Sequence, residues 1–378
     1  MRFVVAPQEF KGSLTAVEAA HAIAEGIRTA CPDAFVDEAP MSDGGPGMVD
    51  ALLAAAGGQR VETAVHDPLM RPLRAAWGLL EDGTAAIEMA AASGLVLLRP
   101  EERDPLVATT CGTGELIASA LDRGCRRLIV GVGGSATVDG GAGAMQALGA
   151  RLLDPSGADL APGGAALARL DRIDISGRDP RLAGATMIVA SDVTNVLYGP
   201  EGAAAVFGPQ KGATPDAVRA LDAALRRFAS VVRRDLGADV AWVPGSGAAG
   251  GLGAGLVALA RASIEPGFPL VANAARLEER IAAADVVITG EGRLDAQTAY
   301  GKSAFGVARL ARAQGKRIVA ICGSIEQGLD TSEWLDGAVA LADPDTPVAA
   351  AMARAGDLLR SAASEVAAGV CVDGSDRG

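Results

Sequence analysis

The chain is poor in the residues that most often carry chemistry or recognition: of 378 residues four are Lys, two His, two Asn and two Tyr, and aromatics make up 3%. Each scarcity excludes something. With His only at 21 and 66, histidine acid–base chemistry and histidine metal sites have little to build on. His21 falls inside an amphipathic helical pattern and is expected to pack, whereas His66 precedes an Asp-Pro turn. The five Cys (31, 111, 125, 322 and 371) are odd in number, far apart and without a Cys-x-x-Cys pair. That argues against a disulfide scaffold or zinc ribbon and fits a reducing, cytoplasmic setting. No apolar run reaches the roughly 18 residues of a membrane span. The opening Met1-Arg2-Phe3-Val4-Val5-Ala6-Pro7 turns polar too soon for a signal peptide. Excess positive charge is also missing. With 46 acidic against 34 basic residues the net charge is −12, which argues against nucleic acid or anionic membrane as the main partner.

What the chain does have is 49 Gly, an apolar fraction of 49% and a charged fraction of 21%, enough for sizeable cores. At roughly 100–200 residues per domain the length allows two domains. Arg2–Ala6 reads as a buried strand, and the helix from Thr15 to Ala30 opens on a capping box, Thr15 with Glu18. A second strand near Ala34–Ala39 leads through Ser42-Asp43-Gly44-Gly45-Pro46-Gly47 into a helix at Met48–Ala56. Strand, helix, strand, helix in that order predicts a parallel sheet with covering helices. The runs Arg60–Val65, Leu73–Leu79 and Ala85–Met89 are short and lack intervening helices, which predicts a mixed or antiparallel sheet. The clearest helix starts at Thr214-Pro215 and lines up Val218, Leu221, Leu225, Phe228, Val232 and Leu236, with a solvated Arg-rich face opposite. From Asp285 the first pattern returns: strand Val286–Thr289, helix Ser303–Ala313, strand Ile318–Cys322. The expected fold is therefore α/β with two domains. One is a doubly wound parallel domain built from both chain ends (1–66 and 284–378), and the other is an inserted α/β domain with a mixed sheet (67–283).

Each of the four Lys adjoins a Gly. Lys316 fits a plain helix-to-strand turn. Lys11, Lys211 and Lys302 fit either anion sites, where Gly lets backbone approach a ligand, or ordinary turns with a solvated Lys. The strongest Gly-rich loop follows the strand Leu128-Ile129-Val130: Gly131-Val132-Gly133-Gly134-Ser135-Ala136-Thr137-Val138-Asp139-Gly140-Gly141, with a helix start near Gly143. Such a loop offers backbone N–H groups and hydroxyls to an anion. Its relaxed Gly131-x-Gly133-x-x-Ala136 pattern matches a dinucleotide fingerprint weakly, because the helix does not begin at once. Ala296–Ser303 loosely copies a P-loop, but it starts well after the strand end and follows Glu291 and Asp295. Asp43, Asp139, Asp192, Glu291 and Asp295 all sit at the ends of expected strands. One alone is most simply a cap. Five together, beside Lys and Gly-rich turns, suit metal-assisted phosphoryl transfer.

The ordered blocks resemble one family. They include Ala6-Pro7-x-x-Phe10-Lys11-Gly12-Ser13, Asp43-Gly44-Gly45, Gly112-Thr113-Gly114-Glu115, Gly133-Gly134-Ser135-Ala136-Thr137-x-Asp139-Gly140-Gly141 and Asp192-Val193-Thr194-Asn195. They continue through Phe207-Gly208-Pro209-Gln210-Lys211-Gly212-Ala213, Gly247-Ala248-Ala249-Gly250-Gly251-Leu252-Gly253 and Thr289-Gly290-Glu291-Gly292-Arg293-Leu294-Asp295-x-Gln297. From Arg2 to about Ser324 the chain is similar to the bacterial two-domain glycerate kinases of the 2-phosphoglycerate type. The resemblance implies a flavodoxin-like domain plus an inserted domain with the active site in the cleft between, phosphorylation of glycerate with ATP and Mg²⁺, and a small hydroxy acid as partner. It allows a homodimer.

Residue chemistry and motif membership cast Lys11, Asp43, Asp192 and Asp295 as catalytic. Asp192 and Glu291 are the metal candidates, and Ser13, Gly44, Gly45, Asn195 and Arg293 the substrate contacts. Gly133, Gly134, Ser135, Thr137, Lys211, Gly250, Gly251 and Lys302 are the phosphate or nucleotide contacts. The chain departs from the family at Gln8 (usually Asp), Glu9 (Ser), Pro46 (Glu) and Val138 (Asn). These departures predict an altered pocket, with Val138 offering an apolar face to a longer acid. A kinase of a related hydroxy acid, a catalytically silent ligand-binding homologue and a nicotinamide-dependent oxidoreductase are the alternatives.

Overall fold

Phe3-Val4-Val5-Ala6 is apolar at successive positions, as a strand covered on both faces must be, and all four side chains are buried. The structure, a computed structural model, describes residues 1–295, 303–342 and 346–375. Its strands are, in chain order, β1 (Arg2–Pro7), β2 (Phe35–Glu38), β3 (Gly58–His66), β4 (Pro72–Leu80) and β5 (Ala85–Glu88). There follow β6 (Arg127–Gly131), β7 (Arg151–Leu153), β8 (Arg172–Asp174), β9 (Thr186–Ala190) and β10 (Ser263–Glu265). The last five are β11 (Val286–Gly290), β12 (Arg293–Leu294), β13 (Arg317–Cys322), β14 (Ser324–Ile325) and β15 (Gly337–Ala340). The chain divides into two compact units, one of Met1–Asp43, Asp50–Ala56 and Phe268–Gly378, the other of Gly44–Val49 and Gly57–Gly267.

In the first unit five parallel strands lie in the order β15-β13-β11-β1-β2. Numbered within the unit this is 2-1-3-4-5, the flavodoxin-like order. The two chain ends thus share one sheet, with Phe3 opposite Val286 and Pro7 opposite Gly290. The helix Ala16–Ala30 begins at the expected Thr15–Glu18 capping box. It packs on the helix Ala355–Ser375 so closely that a Cβ on Gly26 would lie 2.3 Å from the Arg360 carbonyl oxygen. Phe3, Val5, Ile23, Ile27, Ile288, Ile321 and Leu359 form the core there, each such side chain contributing about 1.5–3 kcal/mol by burial. His21 does not pack. It lies on the outer face of its helix, 62% exposed, beside Glu25 and Glu38. The same helix pairing joins Cys31 to Cys371 in a disulfide across 340 residues of sequence, a contact that cysteine spacing alone cannot show.

The second unit holds a six-stranded sheet, β10-β9-β6-β5-β4-β3. The first four strands are parallel and the last two antiparallel, the mixed sheet expected from the short runs. The helix Pro215–Leu236 is capped by the Thr214 side chain and closed by left-handed Gly237, and buries Leu221, Leu225, Phe228 and Val232. Its Arg-rich face is ion-paired to Asp216, Asp222 and Asp235. The units part at other points than 66 and 284. β3 pairs with β4 along nine rungs, from Gly58–Leu80 to His66–Pro72, so it belongs to the mixed sheet. Phe268 packs instead on Gly306 of the helix Ser303–Ala313. No helix among the described residues is long and apolar enough to cross a membrane.

Candidate active site

In doubly wound sheets ligands bind beyond the carboxyl ends of the strands. In the mixed-sheet unit β6 and β9 end side by side, Gly131 opposite Ala190. β6 runs into the Gly-rich loop and β9 into Ser191-Asp192. The loop is held on every flank. The Val132 amide donates to the Ala190 carbonyl at 3.3 Å, Gly133 to the Gly44 carbonyl at 3.3 Å and Ala136 to the Ser93 carbonyl at 3.0 Å. Gly140 donates to the Gly250 carbonyl at 2.9 Å.

The expected ligand-binding glycines are packing sites in this arrangement. A Cβ on Gly133 would lie 2.5 Å from Gly45 Cα, and one on Gly44 2.7 Å from the Ala190 oxygen. A Cβ on Gly250, at φ +67°, would lie 2.0 Å from the Thr137 oxygen. Gly251 is packed in the same way against Gly140. Gly134 is the exposed point of the loop.

Asp139 is fully buried and caps rather than reacts. It accepts from the Thr110 amide (2.8 Å) and hydroxyl (2.9 Å), and from the amides of Gly141 (3.1 Å) and Gly143 (3.2 Å). Burial pushes its carboxyl up and these donors pull it back down. Lys211, expected to meet a phosphate, points inward. It is 2% exposed, and its Nζ donates to Ser135 Oγ at 2.6 Å and to the Thr137 carbonyl at 2.7 Å. Burial lowers it to about 7, against a smaller opposing effect of Asp139. Val138 corrects the expectation drawn from it. It is 0% exposed and belongs to the core with Leu221, Leu225 and Phe228, so it presents no face to a ligand.

Asp192 is exposed at the end of β9, and its Oδ1 accepts the Gly267 amide at 2.7 Å. Asn195 holds its own loop, donating from Nδ2 to the Glu201 carbonyl at 2.9 Å and accepting the Gly247 amide at its carbonyl. Thr110 and Ser93, which carry Asp139 and Ala136, were not among the expected residues. The Gly112-Thr113-Gly114-Glu115 block beside Thr110 was the signal that could have found them.

The parallel-sheet unit gathers its own polar cluster at the carboxyl ends of β1 and β11. The Gln8 amide donates to the Gly290 carbonyl at 2.8 Å and the Met41 amide to the Pro7 carbonyl at 2.9 Å. The Lys11 backbone runs beside Gly292, whose added Cβ would lie 3.3 Å from the Lys11 nitrogen. Lys11 is exposed, Glu291 buried, and Arg293 Nε stands 3.6 Å from Asp295 Oδ2. Glu9 is raised by burial and by Asp43, against a lowering by Lys11, so these three groups act on one another. Ser13 uses its hydroxyl on the Phe10 carbonyl at 2.8 Å, closing the turn that presents Lys11. Gln8 Oε1 is buried without a hydrogen-bond partner among the described residues. Lys302 and the P-loop-like segment from Ala296 lie outside the described residues. Among the described residues no group of three or more His, Cys, Asp or Glu could hold a metal ion.

The sequence model of the glycerate kinase family matches residues 3–371. The chain is 45% identical over 373 residues to the glycerate kinase of Bacillus subtilis (strain 168), covering 98% of each. It is 49% identical over 326 residues to the glycerate 2-kinase of Escherichia coli (strain K12), covering 86% of each. A solved structure from Salmonella typhimurium LT2 superposes with a TM-score of 0.88 at 47% identity, covering 99% of both chains. A dinucleotide oxidoreductase reading of the Gly131 pattern has no support beside these matches, and only the short helix Ala142–Ala147 follows the loop. By sequence and by fold, the chain belongs to the glycerate kinase family.

Proposed function

We propose that the protein transfers the terminal phosphoryl group of ATP to glycerate, giving 2-phosphoglycerate. The observation that carries this reading is the pairing of Gly131 with Ala190, which sets a preorganised Gly-rich loop beside the exposed carboxylate of Asp192. Phosphoryl transfer needs positioning and charge stabilisation more than covalent chemistry. The backbone amide of exposed Gly134 and the Ser135 hydroxyl receive the nucleotide phosphates, while Gly133 and Thr137 hold the loop from behind through Gly44 and Ala249. Mg²⁺ keeps several waters and is held by one or two carboxylates together with phosphates. The exposed hard-oxygen ligand Asp192 suits that role, with Glu291 as a second candidate. When bound, the ion neutralises charge on the transferring group. Lys11 and Arg293 hold the substrate carboxylate, and Asp43 or Asp295 accepts the hydroxyl proton.

A coupled assay with ATP, Mg²⁺ and a panel of three- and four-carbon hydroxy acids tests this, with phosphorus NMR to separate 2- from 3-phosphoglycerate. Tight glycerate binding without ATP turnover would identify a silent homologue instead.

The Gln8 side-chain oxygen, buried without a partner among the described residues, supports a shifted acceptor preference. A carboxylate there would supply a charge-assisted bond of about 1.5–3 kcal/mol, or roughly 10- to 150-fold in affinity. Gln8→Asp is expected to lower the KM for glycerate relative to longer hydroxy acids. An unchanged ratio removes Gln8 from the specificity argument.

A further inference from the structure

Lysine is among the residues least often buried completely, and a buried ammonium normally has a carboxylate against it. Lys211 has none. Its two hydrogen-bond partners, Ser135 Oγ and the Thr137 carbonyl, are both neutral and both belong to the Gly-rich loop. The turn that carries it is fixed in its turn. The Lys211 amide donates to the Gly208 carbonyl at 3.0 Å, and left-handed Gly212 follows, where a Cβ would lie 2.2 Å from the Arg103 oxygen. A methionine of similar shape would fill this space without placing a charge in the core. The ammonium therefore has to be explained by its donors.

We propose that Lys211 is a positioning residue that locks the Gly131–Gly141 loop from the inside in its phosphate-receiving shape, without itself touching the nucleotide. The lock acts at two points two residues apart, one a side chain and one a peptide carbonyl. Holding the Thr137 carbonyl inward fixes the orientation of that peptide plane. The Ser135 hydroxyl, accepting from the ammonium, keeps its own hydrogen for donation, and hydrogen bonds in series strengthen one another. Thr137 Oγ1 at Ala249, Ala136 at Ser93 and Gly140 at Gly250 complete the frame with neutral groups. Asp139, on the loop itself, is the charged group that acts on Lys211 among the described residues.

This inference rests on the reading that the loop receives nucleotide phosphates, so the test has a readout independent of turnover. Wild type and Lys211→Met are compared by hydrogen–deuterium exchange across 131–141 and by steady-state kinetics with ATP and glycerate varied separately. The variant is expected to exchange at least tenfold faster in the loop. Its KM for ATP should rise and its kcat fall at least tenfold, while the KM for glycerate stays within about twofold. Unchanged loop exchange, or equal rises in both KM values, overturns the proposal. Faster loop exchange in Lys211→Met, beside a wild type that turns over no ATP, keeps the lock and removes the kinase reading. Should Lys211→Met not fold, Ser135→Ala opens one of the two contacts and must also speed loop exchange; unchanged exchange there overturns the proposal equally.

Discussion

Gly131 and Ala190 stand opposite each other at the last rung of β6 and β9, in parallel register. The backbone leaves the sheet there twice, once into a loop rich in donors and once toward the carboxylate of Asp192. Asp192→Asn keeps an oxygen able to accept the Gly267 amide, so the fold is expected to persist. Turnover should nevertheless fall at least about 100-fold, the scale of a lost metal ligand or base. Steady-state rates on a variant with an unaltered melting curve check this, and near-normal turnover removes Asp192 from the chemistry.

Burial holds Lys211 near 7 against an ordinary value of 10.5. Between those two values the unfolded chain binds a proton at this residue that the folded chain does not. Stability from this group therefore rises with pH across that window, by at most about 1.4 kcal/mol per pH unit. Urea unfolding of wild type and Lys211→Met at pH 6.5, 8 and 9.5 should show the difference moving in favour of wild type as pH rises. A pH-independent difference would mean that the side chain keeps its proton when folded.

Gly250 combines a left-handed backbone with a Cβ position 2.0 Å from the Thr137 oxygen. Gly250→Ala is expected to cost about 2 kcal/mol or more, through strain and displacement of the loop. The urea midpoint and the KM for ATP should shift together. A variant of normal stability would show that this approach relaxes without cost.

Val138 is fully buried in the same apolar core as Leu225 and Phe228. Val138→Asn, which restores the residue usual in the family, buries an amide there. It is expected to cost about 1–3 kcal/mol while leaving the preference among hydroxy acids unchanged. Altered preference at unaltered stability would reverse this assignment.

These residues also show which levels of structure a sequence exposes. The Thr15–Glu18 cap and the double return of strand and helix are local patterns, and both appear in the structure. The apolar stripe of the helix Pro215–Leu236 and the pairing of the two chain ends were legible for the same reason. Orientation within loops was not. Lys211 beside a Gly reads equally as a phosphate ligand or an internal tie. Gly44 and Gly250 read as ligand contacts until the backbones pressed against them are known. Val138 reads as a pocket residue because its neighbours in the motif are polar, yet its side chain is fully buried in a core shared with residues from distant parts of the chain. His21 and the Cys31–Cys371 bridge were missed because each depends on which face of a helix meets a segment hundreds of residues away, or meets none.

The pairing of β1 with β11 has a temporal consequence. Strand β1 is made early, but its partner at Val286–Gly290 follows only after the whole of the mixed-sheet unit has been synthesised. On the ribosome the mixed sheet can close while the opening strand still waits, its apolar Phe3-Val4-Val5 run exposed. Joining strands so far apart in sequence carries a large loop-closure entropy. Prior folding of the intervening segment shortens that effective loop to the span between its own two ends. The inserted unit thus serves the parallel sheet as a splint, set before the halves it joins are brought together.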